Sequence, residues 1–331
     1  MNILCLTPVK HLDGIYNLLE SFGNVDYKPE LELDDFKFAL STYNDLSEYD
    51  VIFCNPNRQS YVLNEEILST FKGTILTAST GLNHIDVDYC KSMGINVLSH
   101  KDDMNLLNEL PSTSELAFGL MMSLLRKLPE CKSHVSGYEW DYTAFMGRQV
   151  KDLKVGIIGY GRLGRMMAHY CDSFGADVRV YDPYLKNFYS WKWEIAGNED
   201  YRYTRVKTIE EIFNDCDVIS LHTHVTDETR GMINQELFSN IKKNCYIVNT
   251  SRGEIVNEND IVNELKNGKL AGYATDVVEN EFDDLSKSPI IKAMNDGENI
   301  IVTPHVGGMT WEGQQKAYEW SIKKLGKLNE K

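Results

Sequence analysis

The 331-residue sequence predicts an α/β protein made of two doubly wound parallel-sheet domains. Three observations carry that expectation. Short apolar strand candidates alternate with amphipathic helical stretches from end to end, the rhythm of βαβ units whose sheets are covered on both faces. The rhythm starts afresh at Lys154-Val-Gly-Ile-Ile-Gly159, so a second series follows the first. Between the two lies one long helical stretch, residues 112–128, with Pro111-Ser112 as its start and Pro129 as its stop.

In the first series the expected strands are 2–6, 51–54, 74–77 and 96–98, and the expected helices 14–22, 64–71 and 87–93. In the second the strands are 155–159, 178–181, 218–221, 245–249, 272–276 and 300–303, and residues 311–327 read as a closing helix. One connection, 182–208, breaks the rhythm and holds Tyr184, Phe188, Tyr189, Trp191, Trp193, Tyr201 and Tyr203. A connection of that length either serves a function or packs on itself, and its aromatic content favours the second.

Composition narrows the function classes. Apolar residues make up 42% and charged residues 25%, the balance of a globular chain. Lys and Arg total 34 against 49 Asp and Glu, a formal net charge of −15. Such a chain lacks the basic surface that nucleic acid or an anionic membrane requires, so neither is an expected partner. The apolar run 116–125, bounded by Glu115 and Arg126, is too short to cross a bilayer. Met1-Asn-Ile-Leu-Cys-Leu enters a strand directly, with no secretory leader pattern. The seven cysteines (5, 54, 90, 131, 171, 216 and 245) form no C-x-x-C pair and read as reduced, packed thiols of a cytoplasmic protein. His222-Thr-His224 has no third ligand at suitable spacing, so the pair reads as strand-end histidines and no metal is expected.

Gly159-Tyr-Gly161-Arg-Leu-Gly164 follows an apolar strand and opens a helix, and an acidic residue, Asp182, ends the next strand 18 residues later. Those contexts turn a weak glycine pattern into a dinucleotide fingerprint. Gly159 permits the tight turn, Gly161 lets the backbone approach a pyrophosphate, and Gly164 lets the helix pack close to the sheet. The helix N-terminus offers free N–H donors and the positive end of its dipole. A carboxylate at Asp182 suits an unmodified ribose and repels a 2′-phosphate, which predicts NAD rather than NADP.

Three further segments place polar residues just after strands, where doubly wound sheets bind ligands: Asn249-Thr-Ser-Arg252-Gly, Asp276-Val-Val-Glu-Asn-Glu281 and Pro304-His305-Val-Gly-Gly-Met-Thr310. With the glycine loop and Ser79-Thr-Gly-Leu-Asn-His-Ile-Asp, they occur in an order that resembles the NAD-dependent D-isomer-specific 2-hydroxyacid dehydrogenases, the family of D-lactate, glycerate and 3-phosphoglycerate dehydrogenases. The resemblance implies a flavodoxin-like substrate domain, residues 1–100 and 306–331, and a Rossmann NAD-binding domain, 101–305. It implies that Arg252 holds the substrate's carboxylate and carbonyl, a task that suits a guanidinium fork. It makes His305 the acid/base and Glu281 the residue that orients it and favours its charged form. Cofactor contacts are implied at Gly159, Gly161, Arg162, Leu163, Gly164, Asp182, Thr223, Thr250 and Asp276, the last at the nicotinamide end. Thr80, Gly81 and Leu82 are implied to bind substrate carboxylate, and Arg58 matches loosely a phosphate-binding arginine of phosphoglycerate dehydrogenases.

The implied reaction is reversible hydride transfer between NAD(H) and C2 of a small 2-hydroxy or 2-oxo acid. A homodimer is expected, formed through the helix around 116–125, because related helices pack across a two-fold axis. The sequence departs from the family in three places: His224 stands where Pro is usual, the aromatic connection is long, and no regulatory extension follows the closing helix. The second reading weighed is an NAD(H)-sensing, non-catalytic protein of corepressor type, which the intact Arg252, Glu281 and His305 disfavour.

Overall fold

The computed structural model describes residues 1–30, 46–56, 61–185, 203–281 and 284–328. Two compact units emerge, Met1–Leu110 with Met309–Lys331, and Pro111–Gly308. The first unit runs past residue 100 because the Met104–Leu107 helix packs on the Trp311–Lys323 helix and Glu109 pairs with Lys316 at 3.1 Å.

The sheet of unit 1 consists of β1 (Asn2–Cys5), β2 (Asn24–Tyr27), β3 (Val51–Phe53), β4 (Thr74–Leu76) and β5 (Asn96–Leu98), in the order β2-β1-β3-β4-β5. Each neighbouring pair is parallel. β3 and β4 are buried throughout, which is why they read as continuous apolar runs. β2 lies at the edge with no buried residue and left no such run to find. The Trp311–Lys323 helix returns to this unit and packs Ala317, Tyr318 and Ile322 against Ile3, Phe53 and Leu76. It ends at Lys323, and a 3-10 turn carries the chain to Leu328.

The sheet of unit 2 consists of β6 (Lys154–Ile158), β7 (Asp177–Tyr181), β8 (Thr204–Arg205), β9 (Val218–Leu221), β10 (Cys245–Asn249), β11 (Leu270–Thr275) and β12 (Ile300–Val302). Their order is β12-β11-β10-β9-β6-β7-β8, all parallel. The order reverses between β6 and β9, and a sheet of this kind binds its ligand beyond the strand C-termini at that reversal. Two doubly wound parallel sheets are what the strand rhythm predicts. β8 falls inside the stretch read as an unbroken connection. Residues 186–202 of that connection lie outside the described residues. On either side of them, Tyr184 donates a hydrogen bond to Glu228, and Tyr203 packs edge-on against Tyr160 at 6.2 Å.

The long helix differs from its expectation. It spans Ser112–Leu125, and a second helix, Leu128–Ser136, begins after Lys127, whose φ is 50°. Pro129 sits in the first turn of that second helix, where its missing N–H leaves no bond unmade, so it opens a helix instead of stopping one. Ala117, Leu120, Met121, Leu124 and Leu125 all point into the core of their own unit, beside Val155, Val248 and Ala274. All seven cysteines are free thiols, six of them buried and Cys131 half-buried.

Candidate active site

The glycine loop joins β6 to the Arg162–Ser173 helix, and each glycine has a different reason to lack a side chain. Gly159 has φ +88°, and a Cβ there would lie 2.6 Å from the His222 carbonyl oxygen. A Cβ on Gly164 would lie 2.0 Å from the Gly159 carbonyl oxygen, so the helix could not approach the strand. A Cβ on Gly161 would meet no protein atom within 4 Å. The protein's own packing therefore leaves the face of Gly161 bare, and no side chain caps the helix that starts there. Leu163 is held through its carbonyl by the Ser114 hydroxyl at 2.9 Å. Arg162, beside it, is half-buried, and burial lowers the pKa of its guanidinium.

Asp182 ends the turn after β7 and grips the same loop. One carboxylate oxygen accepts from the Tyr160 N–H at 2.8 Å and the other from the Tyr184 N–H at 2.9 Å. Across the reversal, the segment after β9 supplies His222, Thr223 and His224. His222 Nε2 pairs with the Ser220 hydroxyl at 2.8 Å, and His224 is exposed. The hydroxyl oxygens of Thr223 and Thr250 are buried with no protein partner. A buried, unpaired hydroxyl is costly, so each is an available donor or acceptor facing whatever binds beside it.

Two histidines are held neutral by burial, His222 and, in unit 1, His84, each pushed down to about 4. Both protonate near their ordinary value once the chain unfolds, so between about pH 6.5 and about pH 4 the unfolded state binds more protons and stability falls as pH falls. The melting temperature should therefore drop steadily from about pH 7 to about pH 5, above the range in which carboxylates titrate. A flat profile over that window would remove both side chains from the state described here.

Arg252, Glu281 and His305 leave the C-terminal ends of β10, β11 and β12, three neighbouring strands. Buried Asn249 shapes the arginine's loop: its Oδ1 accepts from the Ser251 N–H at 3.0 Å and its Nδ2 donates to the Arg252 carbonyl at 2.9 Å. The Ser251 hydroxyl donates to the Leu221 carbonyl at 2.6 Å. Gly253 follows because a Cβ there would lie 2.1 Å from the Val278 carbonyl carbon. The guanidinium itself is half-buried and donates through Nη1 to the Ser251 carbonyl at 2.7 Å. Among the described residues no carboxylate pairs with it, so most of its donors remain available.

His305 has φ 54°, a left-handed conformation that non-glycine residues adopt rarely and that often marks functional sites. Asp276, 2% exposed, holds it there. The Asp276 carboxylate accepts the N–H groups of Val306 at 2.8 Å and Gly307 at 2.7 Å and the Thr303 hydroxyl, while its carbonyl accepts the His305 N–H at 2.9 Å. The described contacts of Asp276 thus anchor the histidine's loop. The His305 ring places Nδ1 at 2.9 and 3.0 Å from the two Glu281 oxygens. Glu281 is the more buried partner, so the pair is rooted at the glutamate and presents the ring outward.

In unit 1, Thr80, Gly81 and Leu82 follow β4. Among the described residues, none of the backbone N–H groups from 79 to 82 has a protein partner, a run of donors of the kind that receives an anion. Arg58 lies outside the described residues.

Residues 118–307 match the sequence profile of the D-isomer-specific 2-hydroxyacid dehydrogenase NAD-binding domain. The chain belongs to that family. Relatives of this chain include the D-3-phosphoglycerate dehydrogenase of Bacillus subtilis, 33% identical over 72% of this chain and 41% of the relative. The chain thus spans about two-fifths of the length of this relative and of the phosphoglycerate dehydrogenase of Rattus norvegicus. An aromatic 2-oxoacid reductase of Clostridium sporogenes is 27% identical over 97% of this chain and 93% of the relative. Among solved structures, the D-lactate dehydrogenase of Aquifex aeolicus, in complex with NAD and lactic acid, has the same fold: TM-score 0.74, 24% identity, 100% of this chain and 96% of that one.

The matched domain binds NAD, and the chain's residues fit that cofactor. A bare Gly161, an uncapped helix N-terminus and two buried threonine hydroxyls without partners line one reversal of the sheet. Residue types read from sequence missed Asn249, which shapes the arginine's loop, and the anchoring contacts of Asp276. Both act through backbone groups, which leave no mark on composition or spacing.

Proposed function

We propose that this D-2-hydroxyacid dehydrogenase is an oxidoreductase that interconverts a small D-2-hydroxy acid and its 2-oxo acid. The observation that carries the reading is the Glu281–His305 pair. A carboxylate that accepts from Nδ1–H fixes the tautomer and leaves Nε2 as the working nitrogen. When bound, NADH supplies the hydride that adds to C2 of the oxo acid, and NAD takes it back in the reverse direction. His305 donates a proton from Nε2 to the substrate oxygen during reduction, and Glu281 stabilises the charged ring until that proton leaves. Arg252 clamps the carboxylate and polarises the carbonyl with a planar cation. Unit 1 acts as the substrate domain through the free N–H groups of 79–82, and unit 2 as the nucleotide domain, with Asp182 favouring NAD over NADP.

The substrate is the coarser part of this reading. Relatives named for phosphoglycerate and for aromatic 2-oxo acids both support a carboxylate next to the reacting carbon. A phosphorylated acid is the variant in which Arg58 takes the second anionic group. The test is a screen of NADH and NADPH oxidation over 2-oxo acids, phosphorylated and aromatic ones included. Turnover with NADH and little with NADPH is expected. Tight NADH binding without turnover on any of them would replace this reading with that of a sensor.

We also propose that the protein works as a homodimer in the cytoplasm. No described helix is long and apolar enough to cross a membrane. The 116–125 run faces its own core, so the surface for a second copy lies just beyond it. Val135, Tyr138, Trp140, Tyr142 and Met146 are all exposed, Tyr138 at 101% and Trp140 at 87%. An apolar cluster of this kind marks an interaction surface. Light scattering should give twice the 37.9 kDa chain mass, and Trp140→Lys should shift it toward the monomer.

A further inference from the structure

Unit 1 contains a chain of hydrogen bonds whose directions around Asn55 are determined. Asn55 lies beyond the end of β3, Thr77 and Ala78 beyond the end of β4, and Tyr318 on the Trp311–Lys323 helix. The Ala78 N–H donates to Asn55 Oδ1 at 2.8 Å, and a backbone N–H can only donate, so the amide oxygen faces the loop and the amide nitrogen the helix. Asn55 Nδ2 then donates to the Tyr318 hydroxyl at 2.6 Å, and that hydroxyl shares a hydrogen bond with the Thr7 hydroxyl at 3.1 Å.

On the other side the Thr77 hydroxyl donates to Asn55 Oδ1 at 3.0 Å. Its only proton is thereby committed, so His84 Nε2, 3.1 Å away, must be the donor to Thr77. Burial keeps that imidazole neutral, which with Nε2 as the donor places its one ring proton there. Thr7, Thr77, His84 and Tyr318 are all buried, the most exposed of them at 6%. In such surroundings a link cannot be replaced by bulk water, so losing one leaves its neighbours unpaired.

The position of this chain gives it a consequence for binding. Thr77 still bonds to the sheet, through its N–H to the Leu98 carbonyl at 2.9 Å. Beyond it, among the described residues, Asn55 is the last side chain that holds the backbone before the N–H groups of 79–82, which have no partner among those residues, while the Ser79 carbonyl accepts from the His100 N–H at 3.3 Å. Ala78 packs only a methyl group against the core and has no polar side-chain atom to fix the exit angle. We propose that Asn55, backed by Tyr318, is a positioning residue that aims those N–H groups at the substrate's carboxylate. This rests on the reading of 79–82 as a carboxylate site.

The experiment compares wild type with Asn55→Ala, Tyr318→Phe and the double variant. It measures KM and kcat for the best 2-oxo acid of the screen, and the Kd of NADH by fluorescence. Asn55→Ala should raise the oxo-acid KM about tenfold or more, change kcat less than KM, and leave the NADH Kd as it was. Tyr318→Phe keeps the ring that packs on Phe53 and should raise KM about threefold. Because both residues act along one chain, the double variant should be no worse than Asn55→Ala alone. An unchanged KM in Asn55→Ala, or equal loss of oxo-acid and NADH binding, overturns the proposal while wild-type turnover preserves the functional reading. If Asn55→Ala does not fold, Tyr318→Phe decides on the same criteria. A wild type that turns over no 2-oxo acid overturns both.

Discussion

Replacement of His305 by asparagine is expected to lower kcat by about 10²- to 10⁴-fold, the usual worth of a positioned general acid. The choice of asparagine matters. His305 sits at φ 54°, and among non-glycine residues asparagine tolerates that region best, so the loop keeps its shape while the imidazole is lost. NADH binding should be unchanged, because the glycine loop and Asp182 are untouched. Glu281→Gln removes the charge that favours the protonated ring and should cost less than the loss of the ring itself. Near-normal turnover of the His305→Asn enzyme would remove the histidine from the chemistry and leave the Glu281 contact as an ordinary surface pair.

The second large effect is expected at Arg252. Arg252→Ala should lower kcat/KM for the oxo acid by about 10²- to 10⁴-fold, the loss of two charge-assisted hydrogen bonds. Arg252→Lys restores the charge but not the planar fork, so it should recover only a small part. Both variants should fold, because the described contact of the guanidinium is a single bond to the neighbouring Ser251 carbonyl, while Asn249, Ser251 and Gly253 shape the loop without it. Full activity in Arg252→Lys would reduce the role of the arginine to that of a point charge.

The parts of this molecule legible in its sequence share one physical property: they repeat or they touch neighbours in the chain. β1, β3, β4 and β6 are buried and therefore apolar, so their runs are visible. The glycine loop is visible because its glycines stand at a fixed local spacing, Gly164 answering to the Gly159 carbonyl within the same loop. What stayed hidden depends on distant partners. β2 is a strand only because β1 lies beside it. Pro129 reads equally as the end of one helix or the start of the next, and the turn at Lys127 decides. The face of the 116–125 helix that carries Ala117, Leu120, Met121, Leu124 and Leu125 packs on its own sheet, a partner that no local pattern names. Asn55 and Tyr318 stand 263 positions apart, and no local pattern joins them.

The delivery of Arg252, Glu281 and His305 from three adjacent strands of one sheet has an evolutionary side. Reactive groups carried by a single folding unit are inherited together and keep their mutual geometry whatever happens to the rest of the chain. The other unit can then drift, exchange loops or change size without disturbing the chemistry. A lineage can thus explore new acids by altering the two flanking pieces of the gene, Met1–Leu110 and Met309–Lys331, and an engineer can exchange those pieces for a relative's and expect the proposed proton transfer to survive.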